Sequence, residues 1–123
     1  MHNLSNSLPD QLPGIQVAFA LKQCLGKQDL LITLLNKFWE DYGHADDKLA
    51  EDNMGSDQAE TFLHDLQGAA TNLGLSKLGE ICQQQRSKLK TEHSLNKELN
   101  EQFHMELEKV GSSIKTLDSI IQN

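Results

Sequence analysis

The chain has 123 residues, enough for one domain around one core, and its 37% hydrophobic content is compatible with a folded protein. A net charge of −7, no basic run and only one Trp, one Tyr and four Phe argue against a nucleic-acid surface, where Lys and Arg must neutralise phosphates. No apolar stretch approaches the roughly 18 residues of a membrane span, and the opening "MHNLSNSLPD" lacks a signal-peptide core.

Residues 1–13 are rich in Ser, Asn and Pro and without period, and are expected to be a leader or linker ahead of a single domain over 14–123. A short helix follows, around Ile15 to Cys24, stopped by Gly26. The next helix starts at Gln28 or Asp29 and runs to about Glu51. Its apolar positions Leu31, Leu35, Phe38, Tyr42, Ala45 and Leu49 alternate steps of four and three, with Gly43 as a point of bending. "EDNMGSDQ" reads as a turn, with Ser56 or Asp57 as N-cap candidates. A third helix follows, with Ala59, Phe62, Leu63, Leu66, Ala69, Ala70 and Leu73 on one face, ending at Gly74. Ser76 is expected to cap a fourth, with Leu78, Ile81, Cys82, Gln85 and Leu89 inward. "KTEHSLN" reads as a connection. The last helix carries Leu99, Phe103, Leu107, Val110, Ile114, Leu117 and Ile121 at bundle spacing. No stretch alternates with period two. The expected fold is therefore all-α: an antiparallel up-down four-helix bundle with a short N-terminal helix capping one end.

Cys24 and Cys82 have no metal-type spacing, and Cys82 falls within an apolar stripe, as a small core residue would. This composition suits a reduced, cytoplasmic setting. Four-helix bundles can hold two irons through paired Glu-x-x-His motifs. Here there is one, Glu101-x-x-His104, so no metal site is expected. A Cys–His nucleophile fails as well, because Cys82 faces in and His64 faces out.

His64 raises the main question. It lies opposite the apolar face of the third helix, and Gly68 sits one turn further on, where Ala would favour the helix by about 1 kcal/mol. Thr71, another turn along, is small, and Asp65 and Gln67 flank the ring with polar groups. The result is an exposed polar strip that another protein could cover. Asp57, Glu60 and Asp65 make its surroundings acidic. Helices three and four should form a hairpin about Gly74, which brings Arg86, at the edge of its apolar stripe, close to the height of His64.

The spacing His64-x-Leu66-x-Gly68-x-Ala70-x-x-Leu73-Gly74 resembles the signature of histidine-containing phosphotransfer (HPt) domains. "LPGI" at 12–15, "LLITLLNKFWEDY" at 30–42 and "LGLSKLGEIC" at 73–82 are similar to the family's opening and fourth-helix start, so the likeness spans about residues 12–90. It implies a four-helix bundle in which His64 is phosphorylated by an aspartyl phosphate of a response-regulator receiver domain and passes the group to another receiver. The domain would be a passive carrier and not itself an enzyme. It would have no cofactor of its own, with Mg²⁺ on the partner receiver. Receivers and a histidine kinase would be its partners, without nucleic acid or direct membrane contact, and the isolated domain would be a monomer. A cytoplasmic setting agrees with the resemblance, and the chain would be either free-standing or, as its leader and last helix favour, the C-terminal piece of a hybrid sensor kinase. The family usually has Lys three residues after its histidine, where this chain has Gln67. Arg86, with Gln67 as amide donor, is the expected substitute. The rival reading is a non-catalytic helical adaptor in which His64 only contacts a partner.

Overall fold

The computed structural model describes residues 8–50 and 54–122. Among these, six helices account for the regular structure: α1 (Val17–Gln23), α2 (Gln28–Tyr42), α3 (Ala45–Ala50), α4 (Ser56–Asn72), α5 (Ser76–Glu92) and α6 (Lys97–Gln122). The described part of the chain is thus all-α, and its one β-type pairing is an isolated bridge between Leu12 and Ile15.

That bridge closes the "LPGI" turn. Leu12 and Ile15 exchange two backbone hydrogen bonds of 2.9 Å, with Pro13 and Gly14 between them. Gly14 has φ +82°, the left-handed value that the third residue of a type II turn requires. The turn rests on α6: a Cβ at Gly14 would lie 2.9 Å from Val110 Cγ2, and Ser113 Oγ donates 2.6 Å to the Pro13 carbonyl. Leu8 and Leu12, expected in the leader, are partly buried against the core. Residues 1–7 lie outside the described ones.

The helix expected from Gln28 to Glu51 is two helices. α2 stops at Tyr42, and α3 begins at Ala45 after a turn through Gly43 and His44. Gly43 lies against α2: a Cβ there would sit 2.6 Å from the Trp39 carbonyl oxygen and 2.9 Å from the indole Cε2. The apolar spacing survives the break, since Leu31, Leu35 and Phe38 on α2 and Ala45 and Leu49 on α3 are all buried. Glu51 falls outside the described residues.

The expected caps are also revised. Gly55 precedes α4, and its backbone N–H donates 3.3 Å to Gln58 Oε1. Ser56 is the first helical residue and donates instead to the His93 carbonyl at 3.1 Å. Leu75, not Ser76, takes the N-cap position of α5, with no side-chain cap. The end of α4 follows expectation. Gly74 has φ +78°, and the Leu75 N–H reaches the Ala70 carbonyl at 2.8 Å, as in a Schellman close. The Gly74 carbonyl also accepts from Gln16 N–H at 2.8 Å, tying the start of α1 to the α4–α5 turn. The expected "KTEHSLN" connection is shorter. α5 continues to Glu92, and His93 ends it in the left-handed conformation.

α4 and α5 form the most extensive helix pair, α5 packs on α6, α6 on α2, and α2 on α4, while α1 lies on α2 and α3 on α6. Leu31, Leu35, Leu63, Leu66, Leu78, Phe103, Leu107 and Leu117 fill the space between them and are almost wholly buried. Each such side chain contributes about 1.5–3 kcal/mol by leaving water. Gln85 is the largest polar side chain with no exposure among the described residues. Its amide donates 3.0 Å to the Asn96 carbonyl and 2.6 Å to Asn100 Oδ1, and its oxygen accepts from Asn96 N–H at 2.8 Å. The amide therefore clips the α5–α6 turn with its hydrogen bonds made.

Candidate functional site

The inward face of α4 is Ala59, Leu63, Leu66 and Ala70, all buried. His64 is therefore turned outward, with 65% of its side chain exposed. Its Nδ1 lies 3.5 Å from Oδ1 of Asp65. Nothing stands beside Gly68 either: a Cβ there would meet no atom within 4 Å. The other two glycines inside helices are filled positions. A Cβ at Gly79 would lie 2.8 Å from Thr71 Oγ1, and one at Gly111 would lie 2.5 Å from Trp39 Cη2. Close packing thus accounts for Gly79 and Gly111, whereas Gly68 weakens its helix and leaves open space next to the histidine.

His64 lines a groove of about 380 Å³ together with Gln67, Gly68 and Thr71 of α4, Arg86 of α5, and Phe19 and Gln23 of α1. Four of the neighbours expected from the sequence, Gln67, Gly68, Thr71 and Arg86, meet there. Asp65 touches the imidazole but does not line the groove. The α1 residues were not anticipated, because local patterning does not tell where a short leading helix will lie. Phe19 is 46% exposed, and Gln23 Nε2 donates 3.2 Å to Asn72 Oδ1, fastening α1 to the end of α4.

Arg86 does not wave in solvent. Its side chain is 22% exposed. Nε and Nη2 both approach Glu60 Oε1 at 2.9 Å, and Nη1 donates 2.7 Å to Gln67 Oε1. With its oxygen held by the guanidinium, the Gln67 amide turns its NH₂ group away from Arg86. Glu60, noted in the sequence only as part of an acidic surround, is thus the direct partner of the expected cation. The two are 26 positions apart, and only the hairpin register joins them.

The rest of the chemistry is quiet. Burial pushes the Cys82 thiol up to about 12, with Arg86 pulling weakly the other way, so it is no nucleophile at neutral pH. Tyr42 is raised chiefly by burial and further by Asp65 and Asp41. Among the described residues no group of three or more His, Cys, Asp and Glu is arranged to hold a metal ion. His104 is instead engaged by Asp46 through Nδ1 and by Glu108 at 2.6 Å through Nε2. No helix among the described residues is long and apolar enough to cross a membrane. An exposed imidazole with one nitrogen facing a carboxylate and the other open can accept and release an electrophilic group on a partner's surface. Compared with family models, curated proteins and solved structures, the chain finds no match.

Proposed function

We propose that the chain is an HPt-type phosphocarrier: an antiparallel up-down bundle of α2, α4, α5 and α6, capped by α1, with His64 as the phosphorylated residue. Asp65 beside Nδ1 favours the tautomer with the proton on that nitrogen, which leaves the Nε2 lone pair for the partner. That lone pair forms a bond to phosphorus of a receiver's aspartyl phosphate. The P–O bond to the aspartate breaks, and its electron pair leaves on the receiver's carboxylate. The ring then carries the positive charge, with the Nδ1 proton beside Asp65. Onward transfer runs the same steps in reverse towards a second receiver. Catalysis of this kind is largely positioning and charge neutralisation. Arg86 and the Gln67 amide contribute from this side of the interface, and the docked receiver, with its Mg²⁺, contributes the rest. The reading makes the domain a cytoplasmic, monomeric relay with no cofactor of its own, not an enzyme by itself, serving a histidine kinase and its receivers.

The observation that carries this reading is Gly68. It is the one helical glycine with open space where its Cβ would be, and it lies one turn from an exposed histidine. The test is to incubate the chain with a phosphorylated receiver and map the label. Acid-labile, alkali-stable label on His64, absent from His64→Gln, is the expected result. Label that persists in His64→Gln removes the proposal, and a stable receiver complex without transfer would make the chain an adaptor. Arg86→Ala should lower the phosphorylated fraction, and Gln67→Lys should restore it.

A further inference from the structure

Glu60, His64, Gln67 and Thr71 are spaced four, three and four along α4, so they form a single stripe on one side of the helix. The Arg86 guanidinium spans part of that stripe from below, held at one end by Glu60 Oε1 and at the other by Gln67 Oε1. His64 lies between these two anchors in sequence. Arginine has five N–H donors. Two are committed here by hydrogen bonds, Nε–H to Glu60 and an Nη1–H to Gln67, while Nη2 adds an ion-pair contact of 2.9 Å to the same Glu60 oxygen, so N–H groups remain for another acceptor. Glu60 meets the guanidinium through a single oxygen, and Oε2 is buried without a hydrogen-bond partner.

We infer that Glu60 is a positioning residue that limits how tightly the carrier holds its phosphoryl group; this rests on the phosphocarrier reading above. The carboxylate fixes the guanidinium beside the groove, and it also cancels its charge. When His64 bears a phosphoryl group, Glu60 competes with that group for Arg86. An unopposed cation would make phosphohistidine more stable and harder to discharge. A relay has to give up what it accepts, and a half-neutralised cation keeps the two sides of the transfer close in energy. If Glu60 only fastens α5 to α4, removing its charge will change stability and leave the phosphoryl chemistry alone.

The experiment uses the full chain with phosphoramidate at a fixed ammonium concentration. The P–N bond of phosphoramidate breaks, ammonia leaves, and the P–Nε2 bond forms, so the ratio of phosphorylated to free protein reads an equilibrium. ³¹P NMR gives that ratio. Glu60→Gln should raise it by about three- to tenfold, the effect of one unit charge near a partly exposed phosphoryl group. In an Arg86→Ala background the same substitution should raise the ratio distinctly less, because only the direct repulsion between the Glu60 carboxylate and the phosphoryl group one turn away is then left. The Arg86 Nε–H resonance of the unphosphorylated chain should shift on Glu60→Gln while circular dichroism stays unchanged. Glu60→Asp keeps the charge, should keep the ratio within about twofold of the parent, and serves as control if Glu60→Gln is poorly folded. An unchanged ratio in Glu60→Gln, or an equal rise with Arg86 absent, overturns the inference and leaves the phosphocarrier reading intact. A parent chain that takes no label on His64 overturns both.

Discussion

Replacing each helical glycine by alanine should give three different answers, and the signs follow from what the new methyl group meets. At Gly68 it meets nothing within 4 Å. The substitution keeps the helical gain of about 1 kcal/mol with no steric cost. For a domain of this length that is about 3–5 °C in Tm, or roughly 0.5–1 M in urea midpoint. At Gly111 the methyl would lie 2.5, 2.8 and 3.0 Å from three atoms of the Trp39 ring. Carbon atoms prefer about 3.5–4.0 Å. The rigid indole must move, at an overpacking cost of about 1–3 kcal/mol, so the net change is a loss of up to about 2 kcal/mol. At Gly79 the close atom is Thr71 Oγ1 at 2.8 Å. A hydroxyl can rotate away, so strain and helical gain should roughly cancel. Urea titration followed by far-ultraviolet circular dichroism measures all three. A Gly68→Ala protein no more stable than the parent would refute the reasoning, because the position would then have a packing role after all. The functional half of the experiment uses Gly68→Gln. It should fold and yet take label from a receiver more slowly, since its side chain projects beside His64.

Asp46 hydrogen-bonds His104, and with Glu108 on the other nitrogen the imidazole pKa is raised. A raised value stabilises the fold most below the ordinary imidazole pKa of about 6.5 and loses that contribution as pH rises through the folded value. The stability gap between the parent and His104→Gln should therefore be wider at pH 5.5 than at pH 9, and an equal gap at both would sink the assignment. Cys24 and Cys82 are buried and their thiols are raised. Both should resist iodoacetamide at pH 8 until urea unfolds the chain, as intact-mass spectrometry would report. Gln85→Leu should cost about 2–3 kcal/mol, because it leaves the inward-facing groups of Asn96 and Asn100 without the partners they have now. A urea midpoint equal to the parent's would show that the clip is dispensable.

The helices were legible in the sequence wherever one face meets the core along its whole length. Leu99, Phe103, Leu107, Val110, Ile114 and Leu117 are buried in the order their spacing suggests. The 3.6-residue period reports burial directly in such a helix. It does not report continuity. The spacing of Leu31 to Leu49 runs unbroken across the turn at Gly43, because α3 keeps its apolar side on the same core. Caps were read from residue type, and Ser56 and Ser76 both proved to be one position too late. At the candidate site, His64, Gly68 and Arg86 could be singled out from one helix and one hairpin. Glu60 as partner of Arg86, and Phe19 and Gln23 as walls, depend on side-chain reach and on where α1 settles. Neither is written in local periodicity.

The α4–α5 hairpin has a consequence for the order in which this protein assembles. Its turn is three residues long, Leu73 to Leu75, and it joins the most extensive helix pair. Glu60, His64, Gln67, Gly68, Thr71 and Arg86 all lie on it. Closing a short loop has a small entropic cost, and contacts near in sequence form early. The bed of the groove should accordingly be built before α6 returns to pack on α2. Amide protons of α4 and α5 should exchange last, and those of α3, a six-residue helix, among the first. Phe19 and Gln23 arrive with α1, through the Gln16–Gly74 backbone bond and the Gln23–Asn72 contact. The groove is then completed by a piece of chain that precedes the hairpin in sequence and docks on it later. Loosening those two contacts would open one wall of the groove while the reactive helix stayed folded.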